Sequence, residues 1–465
     1  MYEIERKYLL KPAVLKFLKK TPHQCQKLTQ FYTKVTPDLS VRYRRVGKRY
    51  YKTVKKGRGG IREEYEKKIS GKKYLKNIPK RIGYVIGKKR CLFHEDGLEY
   101  GVDIYKAPFE GLLVLEVEFS DKKAYEDFVL PPRIASVVER EVTEDEVYKN
   151  KNLALFGLPS EEEHATDRLM QKLRQLKKET FRYRKAILGG GSDEDLHQFR
   201  VSLRTAVSLL ASCRFMCDEN GCGYFKKSLK EIISVTNRKR DLDVMKRGLA
   251  SFRKDVKSAD MQKSFELLHE TIDKEIAREE RYIRAYLQSS RFGKIMNDYK
   301  AFIKGGHRQH ETFYARYSVV PVCDYVIFSH FMKIKKRIGK IKAKDDDVPQ
   351  LHKLRIDFKK MRYLLENFHE LYDDREIKKL VKSVKKLQKV LGRFHDGYQQ
   401  RLIFETLLRQ QQDKGVVFFL ENILLPQLHT AQHKEIVSVT KRVKKFLETE
   451  AIYRKIFIPA SNEKT

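Results

Sequence analysis

Charged and apolar residues alternate along the N-terminal part of the chain. In the opening stretch MYEIERKYLL, Glu3, Glu5 and Lys7 occupy every second position, with Ile4 and Tyr8 among the residues between. Successive side chains of a strand point to opposite faces, so this pattern predicts a strand with its charges on one face. The period recurs in VRYRR (Val41 to Arg45), YYKTVKK (Tyr50 to Lys56), IREEYEKKI (Ile61 to Ile69), GKKRCLF (Gly87 to Phe93), YGVDIYK (Tyr100 to Lys106) and LVLEVEFS (Leu113 to Ser120). Glycines at Gly57 to Gly60, Gly71, Gly97 and Gly111 mark breaks between strands. Short helices are predicted at Pro12 to Lys20 and Asp121 to Phe128.

The residues at alternate positions are Arg42 and Arg44; Thr53 and Lys55; Arg62, Glu64 and Glu66; Lys88 and Arg90; Asp103; and Glu116 and Glu118. A half-buried sheet with one solvated face would also place charges this way. It would mix in Ser, Thr, Gln and Asn, however, whereas these positions hold mostly carboxylates or cations, grouped by strand. Strands of opposite sign around one lumen would set hard carboxylate oxygens suited to Mg²⁺ beside Arg forks and Lys ammonium groups suited to phosphate.

Between Asn150 and Thr166 the alternation stops, and GLPSEEEH (Gly157 to His164) reads as a polar hinge. From Asp167 on, apolar residues recur at helical spacing, as in Leu169, Leu173 and Leu176. Gly189 to Gly191 break the first helix, and SDEDL (Ser192 to Leu196) predicts the cap and acidic first turn of the next. That helix places His197, Arg200 and Arg204 on one face. LHKLRIDFKKMRYLL repeats the face with His352, Arg355, Lys359 and Arg362, and His352 follows His197 by 155 residues. The same offset relates Lys227 to Lys382, Lys230 to Lys385, Arg238 to Arg393 and Asp241 to Asp396. Equal spacing without an insertion predicts a duplicated helical unit. A solvated basic face is the ordinary explanation of such residues, yet it does not account for polar identities recurring at one offset. A shared basic face would bind an extended polyanion, with Asp241 and Asp396 orienting an Arg or a His.

Composition sharpens the choice of partner. The 465 residues carry a formal net charge of +37. Such an excess calls for a polyanion: nucleic acid, an anionic membrane or phosphate chains. The N-terminus lacks the apolar core of a signal peptide, and the most apolar stretch, Tyr317 to Phe331, is interrupted by Pro321, Asp324 and His330. A soluble, cytoplasmic protein without a membrane partner is expected. The six cysteines (Cys25, Cys91, Cys213, Cys217, Cys222, Cys323) include no CxxC pair and are expected to be thiols without disulfide or metal roles. The repeated basic face has no aromatics for base stacking, which argues against nucleic acid.

In order along the chain, ExExK at Glu3, Glu5 and Lys7, then VRYRR, TVK, REEYE, KKR, VDIY and LEVEF, resemble the CYTH superfamily of triphosphate tunnel metalloenzymes. The resemblance covers residues 1–155 and implies an eight-stranded antiparallel tunnel barrel requiring Mg²⁺ or Mn²⁺. It implies that Arg42, Arg44, Lys55, Lys88 and Arg90 hold a triphosphate. Glu64, Glu66, Asp103, Glu116 and Glu118 would hold the substrate-bound metal, and Glu3 and Glu5 a second metal or the attacking water. Lys7 would bind phosphate or help activate that water, so Glu3, Glu5 and Lys7 form the expected catalytic set.

After a linker at 156–166, the HxxRxxxR and HxxRxxxKxxR helices, RDLD (Arg240 to Asp243) and LGRFHD (Leu391 to Asp396) resemble the CHAD domain, a conserved histidine α-helical domain. This second resemblance spans 167–455, with halves at 167–304 and 322–455 joined by Gly305 to Pro321. The second half departs from the first where Arg204 becomes Lys359 and Arg240 becomes His395. It implies binding of inorganic polyphosphate by His197, Arg200, Arg204, Lys227, Lys230, Arg238, His352, Arg355, Lys359, Arg362, Lys382, Lys385 and Arg393. The fold class expected is therefore α+β multidomain, a tunnel β-barrel with flanking helices followed by an all-α domain of two pseudo-symmetric helical bundles. The function expected is metal-dependent hydrolysis of inorganic triphosphate beside a polyphosphate-binding domain, with association to polyphosphate granules. Alternatives are a catalytically weak polyphosphate-binding or targeting protein, thiamine triphosphatase and adenylyl cyclase. The last dozen residues, ending SNEKT, are expected to be loose.

Overall fold

Strands and short helices form the first part of the computed structural model. They run β1 (Ile4–Leu10), α1 (Val14–Lys19), β2 (Gln24–Thr36), β3 (Leu39–Val46), β4 (Arg49–Lys56), β5 (Glu63–Ile69), α2 (Gly71–Asn77), β6 (Ile82–Glu95), β7 (Leu98–Tyr105), β8 (Leu113–Phe119), α3 (Lys122–Asp127), α4 (Pro132–Ala135), β9 (Val138–Glu141) and α5 (Asn150–Phe156). The structure describes residues 4–36, 38–57, 63–160, 162–251, 259–305, 312–341, 348–410 and 412–460. Glu3 and Arg62 lie outside the described residues. The chain divides into one unit of residues 1–165, 316–325 and 454–465, and a second of 166–315 and 326–453.

All the strand pairs of the first unit are antiparallel. Among the described residues the sheet has nine strands in the order β5-β4-β3-β2-β6-β7-β8-β1-β9, against the eight expected. The ninth is the short segment VERE, paired to β1. Among the described residues no ladder joins β5 to β9, so the sheet is an open one that curls into a tunnel. The curl is visible at Tyr32 on β2, whose hydroxyl feels Arg42 of β3, Lys55 of β4 and Lys7 of β1. In the sheet order β1 is four strands away from β2 on the other side.

Alternation assigns the two faces. On the outer face Tyr8, Leu10, Leu115, Val117, Phe119, Phe93, Tyr100 and Val102 pack with α1 residues Val14 and Leu18. A smaller cluster of Phe31, Tyr43, Tyr74 and Val85 seats α2, which Ser70 caps by accepting from the Lys73 backbone N–H. A third cluster (Leu9, Tyr32, Ile86, Tyr105, Val114 with Leu153 and Ala154 of α5) brings lumen-face residues together at one end.

Two expectations are corrected in this unit. Cys25 and Cys91, directly opposite on β2 and β6, form a disulfide rather than standing as thiols. Of the last dozen residues, expected to be loose, the part up to residue 460 is docked, since Arg81 donates to the Pro459 carbonyl at 2.8 Å and Arg454 donates to the Arg81 carbonyl at 3.2 Å, while residues 461–465 lie outside the described residues.

The helices that follow are α6 (Ala165–Leu188), α7 (Asp193–Ser212), α8 (Glu219–Val235), α9 (Asn237–Ser251), α10 (Ala259–Gln288), α11 (Ser290–Lys304), α12 (Val319–Ile338), α13 (Val348–Phe368), α14 (Asp374–Gln410), α15 (Lys414–Phe419), α16 (Leu425–Phe446) and α17 (Glu450–Phe457). Ser192 and Asp195 form a reciprocal capping box at the start of α7. At the repeat offset, α13 matches α7, and α14 matches α8 and α9 together. The first half breaks at Thr236, whose hydroxyl turns back to the Ile233 carbonyl at 2.8 Å. The second half has Leu391 at that place, a buried residue without a competing hydroxyl, and its helix continues. A cluster from both halves (Leu242, Met245 and Leu249 with Phe404, Phe419, Leu420 and Leu424) packs together. Cys217 and Cys222 are also joined, correcting the expectation of thiols, whereas Cys213 is a free, buried thiol and Cys323 is buried. No helix among the described residues is long and apolar enough to cross a membrane.

Gly83 permits close packing on α5. Its φ is +71°, and a Cβ there would lie 2.0 Å from the Ala154 carbonyl oxygen, whereas Gly97, at φ +75°, has nothing within 4 Å. Gly83→Ala should therefore cost about 1–3 kcal/mol more than Gly97→Ala, the difference being overpacking rather than backbone strain. Denaturant unfolding of both variants checks this, and equal losses would show that α5 yields freely.

Candidate functional site

The lumen face collects the alternate charges. Lys7 stands opposite Glu116 and Glu5 opposite Glu118 on β1 and β8. Arg90 stands opposite Asp103 on β6 and β7, Arg42 opposite Thr53 on β3 and β4, and Glu64 and Glu66 opposite Lys55 and Thr53. Buried charge must be paired, and here it is. Arg90 donates to both oxygens of Asp103 at 2.7 and 2.6 Å and also to Glu116. Lys88 donates to Asp103 as well. Lys7 lies 2.9 Å from Glu5 and 3.2 Å from Glu116.

Exposure rises along this wall. Asp103 is 0% exposed and Lys88 2%, Glu116 and Lys7 are 8% and 13%, Glu5 is 24%, and Glu118 is exposed. An apolar floor thus gives way to a charged middle and an open mouth. Burial opposes the charge on Lys7, but Glu116 and Glu5 outweigh it and hold the ammonium above its ordinary pKa. Burial likewise works against the Glu116 carboxylate, and Lys7, Lys88 and Arg90 overcome it, so its pKa lies well below the usual 4.5.

The opposite wall is shallower. Arg44 donates to both Glu66 oxygens at 3.2 Å, and Lys55 reaches Glu64 at 2.7 Å. Arg42 donates to Thr53 at 3.3 Å, and Thr53 in turn donates to Glu66 at 2.7 Å. Among the described residues several donors remain unused: Arg42 Nε, Arg44 Nε and Gln30 Nε2 are buried without a hydrogen-bond partner. Gln30 faces Arg44 across β2 and β3 and is 2% exposed. The sequence reading missed Gln30, Tyr32 and Tyr105, because QCQKLTQFYTKVT carries no alternating charge pair to mark β2 as a strand. Tyr105, two positions after Asp103, had that spacing as its only signal.

In the helical unit the structure brings together part of the expected face. Arg204 of α7 lies in the electrostatic field shared by Arg200, Arg240, Asp241, Arg355, Lys359 and His395. His197 joins it beside Arg240 and Arg204. His352 and His395 meet through their Nδ1 atoms at 3.3 Å. Arg200 is engaged within the unit. It is 3% exposed and spends its donors on the end of α8, at the Ile233 carbonyl (3.2 Å), Asn237 Oδ1 (3.0 Å) and the Thr236 hydroxyl. Burial, then Arg204 and Arg240, lower its pKa to about 9.

The remaining expected residues spread outward. Lys227, Lys230, Lys382 and Arg393 are exposed. Arg238 is exposed and 3.5 Å from Glu275, and Arg362 and Lys385 share Glu366 at 3.3 and 3.0 Å. Lys239, which carried no repeat signal, is 2% exposed and is held by Asp193, Asp243 and Glu280, tying α9 to α7 and α10.

Comparison with known proteins finds relatives for the N-terminal and for the helical region. The CHAD domain family matches residues 168–405. An inorganic triphosphatase of Nitrosomonas europaea is 33% identical over 156 residues, 33% of this chain and 98% of that protein. An inorganic triphosphatase of Acetivibrio thermocellus is 34% identical over 155 residues, 32% of this chain and 92% of that protein. Among solved structures, an inorganic triphosphatase is 31% identical with a TM-score of 0.26, covering 33% of this chain and 95% of the other. The CHAD domain of Ricinus communis is 21% identical with a TM-score of 0.49, covering 61% of this chain and 92% of the other.

Glu116 gives the lumen a pH signature. A depressed carboxylate contributes stability that is present above its unfolded value, ordinarily near 4.5, and is lost as pH falls through the lower folded value. Glu116→Gln should be less stable than the parent at neutral pH by about 3 kcal/mol and lose less on acidification. Urea unfolding near neutrality and at about pH 4 measures both, and an unchanged acid limb would contradict the assignment.

Proposed function

The chain belongs to the CHAD domain family, with an N-terminal region related to CYTH-type inorganic triphosphatases, and on that premise we propose that it hydrolyses inorganic triphosphate in the tunnel of residues 1–155. The observation that carries this reading is a single lumen on whose two walls cations and carboxylates stand paired side by side. Unpartnered buried donors on Arg42, Arg44 and Gln30 are suited to phosphoryl oxygens, which supply the missing acceptors. Lys55 and Arg90 would add charge to the same chain of phosphates.

The carboxylates fit a hard divalent cation. Glu5 and Glu118 are directly opposite, and like charges in that register repel unless a cation stands between or beside them. Glu5, Glu116 and Glu118 would hold Mg²⁺ or Mn²⁺ on this wall, with Glu64 and Glu66 on the other. A bound cation would supply charge neutralisation on the phosphoryl oxygens and polarise the scissile bond. Asp103, with both oxygens engaged by Arg90 and Lys88, orients those cations instead of serving as a ligand. Lys7, released from Glu116 as phosphate enters, would bind the terminal phosphate, and Glu5 would orient the water that attacks it. Tyr32 and Tyr105 close the apolar end and keep bulk water from the far side.

For the helical residues 167–455 we propose inorganic polyphosphate as ligand, on the face around Arg204, Arg240, Arg355 and Lys359. Lys227, Lys230, Arg238, Lys382, Lys385 and Arg393 would extend the track as exposed contacts. Cytoplasmic location near polyphosphate would follow from that binding. A second reading, in which the tunnel only binds, is favoured by the closeness of its internal ion pairs.

Phosphate release from triphosphate, long-chain polyphosphate, ATP and thiamine triphosphate separates the readings. Triphosphate should be the preferred substrate, and activity should vanish with chelator and return with Mg²⁺ or Mn²⁺. Glu5→Gln and Glu118→Gln should each reduce kcat by about a hundredfold or more. Turnover of none of the four, with polyphosphate binding intact, would make the tunnel a binding module.

A further inference from the structure

The basic centre of the helical unit holds more cations than it can stabilise when empty. Lys359 on α13 stands among Arg355 and Arg362 of its own helix, Arg204 of α7 and Asp396 of α14. Asp396 is the only carboxylate among these neighbours, and Arg355 draws on it too. Among the described residues Lys359 has no hydrogen bond or ion pair, and Arg355 Nε is a buried donor without an acceptor. Beside them, His352 and His395 place their Nδ1 atoms 3.3 Å apart. At that distance one nitrogen donates and the other accepts, so the pair cannot carry two protonated imidazoles.

The surrounding elements add little negative charge. From α7 come Arg200, Arg204, His197 and, beside the last, Glu194; from α9 come Arg240, Asp241 and Asp243, which Lys239 engages; and Glu366 of α13 is taken up by Arg362 and Lys385. The turn after α13 sends Glu370 to Arg168 and Lys172, away from the cluster. On the α16 side of α14, His429 meets Arg401.

We propose that binding of a polyphosphate chain at this centre is coupled to proton uptake, Lys359 and the His352–His395 pair gaining charge as phosphate oxygens arrive. This rests on the polyphosphate reading of the helical unit and states how that same site is regulated. The proton comes from solvent and adds to the Lys359 amine or to an imidazole nitrogen, and no other bond is made or broken. The phosphate oxygens supply the acceptors that Lys359 and Arg355 Nε lack, and they offset the repulsion among the cations. In the empty site, burial followed by Arg355 and Arg204 lowers Lys359 to about 7. Burial, then Arg355 and the neighbouring His352, lowers His395 to about 3.

The sign follows from the protonated form being the one that binds. With Lys359 near 7 in the empty site, affinity should fall about tenfold between about pH 6 and about pH 8 from this residue alone. The imidazole pair adds to that fall. Polyphosphate makes many cation contacts, so the salt concentration is held constant across the series.

The test is calorimetry of the full chain with long-chain polyphosphate, whose few end groups contribute few titrating protons, in chelator to idle the tunnel. Two buffers of different ionisation enthalpy at about pH 7 count the protons taken up. Net uptake is expected, reduced in Lys359→Arg, which keeps its charge at every pH tested, and reduced further when His395→Asn is added. The fall in affinity with pH should flatten in the same order. Binding without proton exchange, or uptake unchanged in both variants, would overturn the coupling while leaving the polyphosphate reading intact. Absence of binding at every pH would overturn both.

Discussion

Charges of both signs are folded into one lumen, and this unit depends on their pairing. Asp103 is fully buried and would be untenable as a lone carboxylate. Arg90 and Lys88 satisfy it, and Arg90 then passes charge on to Glu116, which holds Lys7. A buried network of this kind adds little to stability compared with an apolar core of the same volume, but loss of one member is costly. Its use is therefore best sought in what can replace its pairs. A substrate with several phosphates and a divalent cation offers both signs at once, allowing cations and carboxylates to exchange partners without being stripped of charge.

The helical unit solves the opposite problem. Its central cations have too few carboxylates, so the empty site lowers the charge of those side chains that can lose a proton. Arg200 escapes by capping the end of α8, a role available because Thr236 and Asn237 terminate that helix. In the second half Leu391, which has no hydroxyl, stands at the place of Thr236, and the Nε of the repeat partner Arg355 is without a hydrogen-bond partner among the described residues. Two copies of one helical pattern have thereby diverged, one arginine serving the fold and the other remaining with the basic centre.

The sequence carried much of this, for physical reasons. Period-2 alternation identified β1, β3, β4, β5, β6, β7 and β8 because their lumen faces carry charged residues at every second position. It failed on β2, whose lumen residues Gln26, Leu28, Gln30 and Tyr32 are uncharged, and on β9, which is too short to show a period. The repeat offset placed the basic helix faces, since duplicated helices preserve spacing. Spacing alone did not distinguish Arg200 from Arg355, because their difference lies in residues thirty-odd positions away that reach them only in the fold. The Cys25–Cys91 disulfide escaped because the register of β2 on β6 brings the two residues together, and no sequence interval announces such a pairing.

The most direct measurement of the exchange of partners in the tunnel is a crystal structure of the full chain with Mg²⁺ and a non-hydrolysable triphosphate analogue. The account predicts phosphates on Arg42, Arg44, Lys55 and Arg90, the ion on Glu5, Glu116 or Glu118, and Lys7 parted from Glu116. Asp103 should remain bound to Lys88 and Arg90. A triphosphate seated elsewhere, or seated in the lumen with the Lys7–Glu116 and Arg90–Glu116 pairs intact, would contradict it.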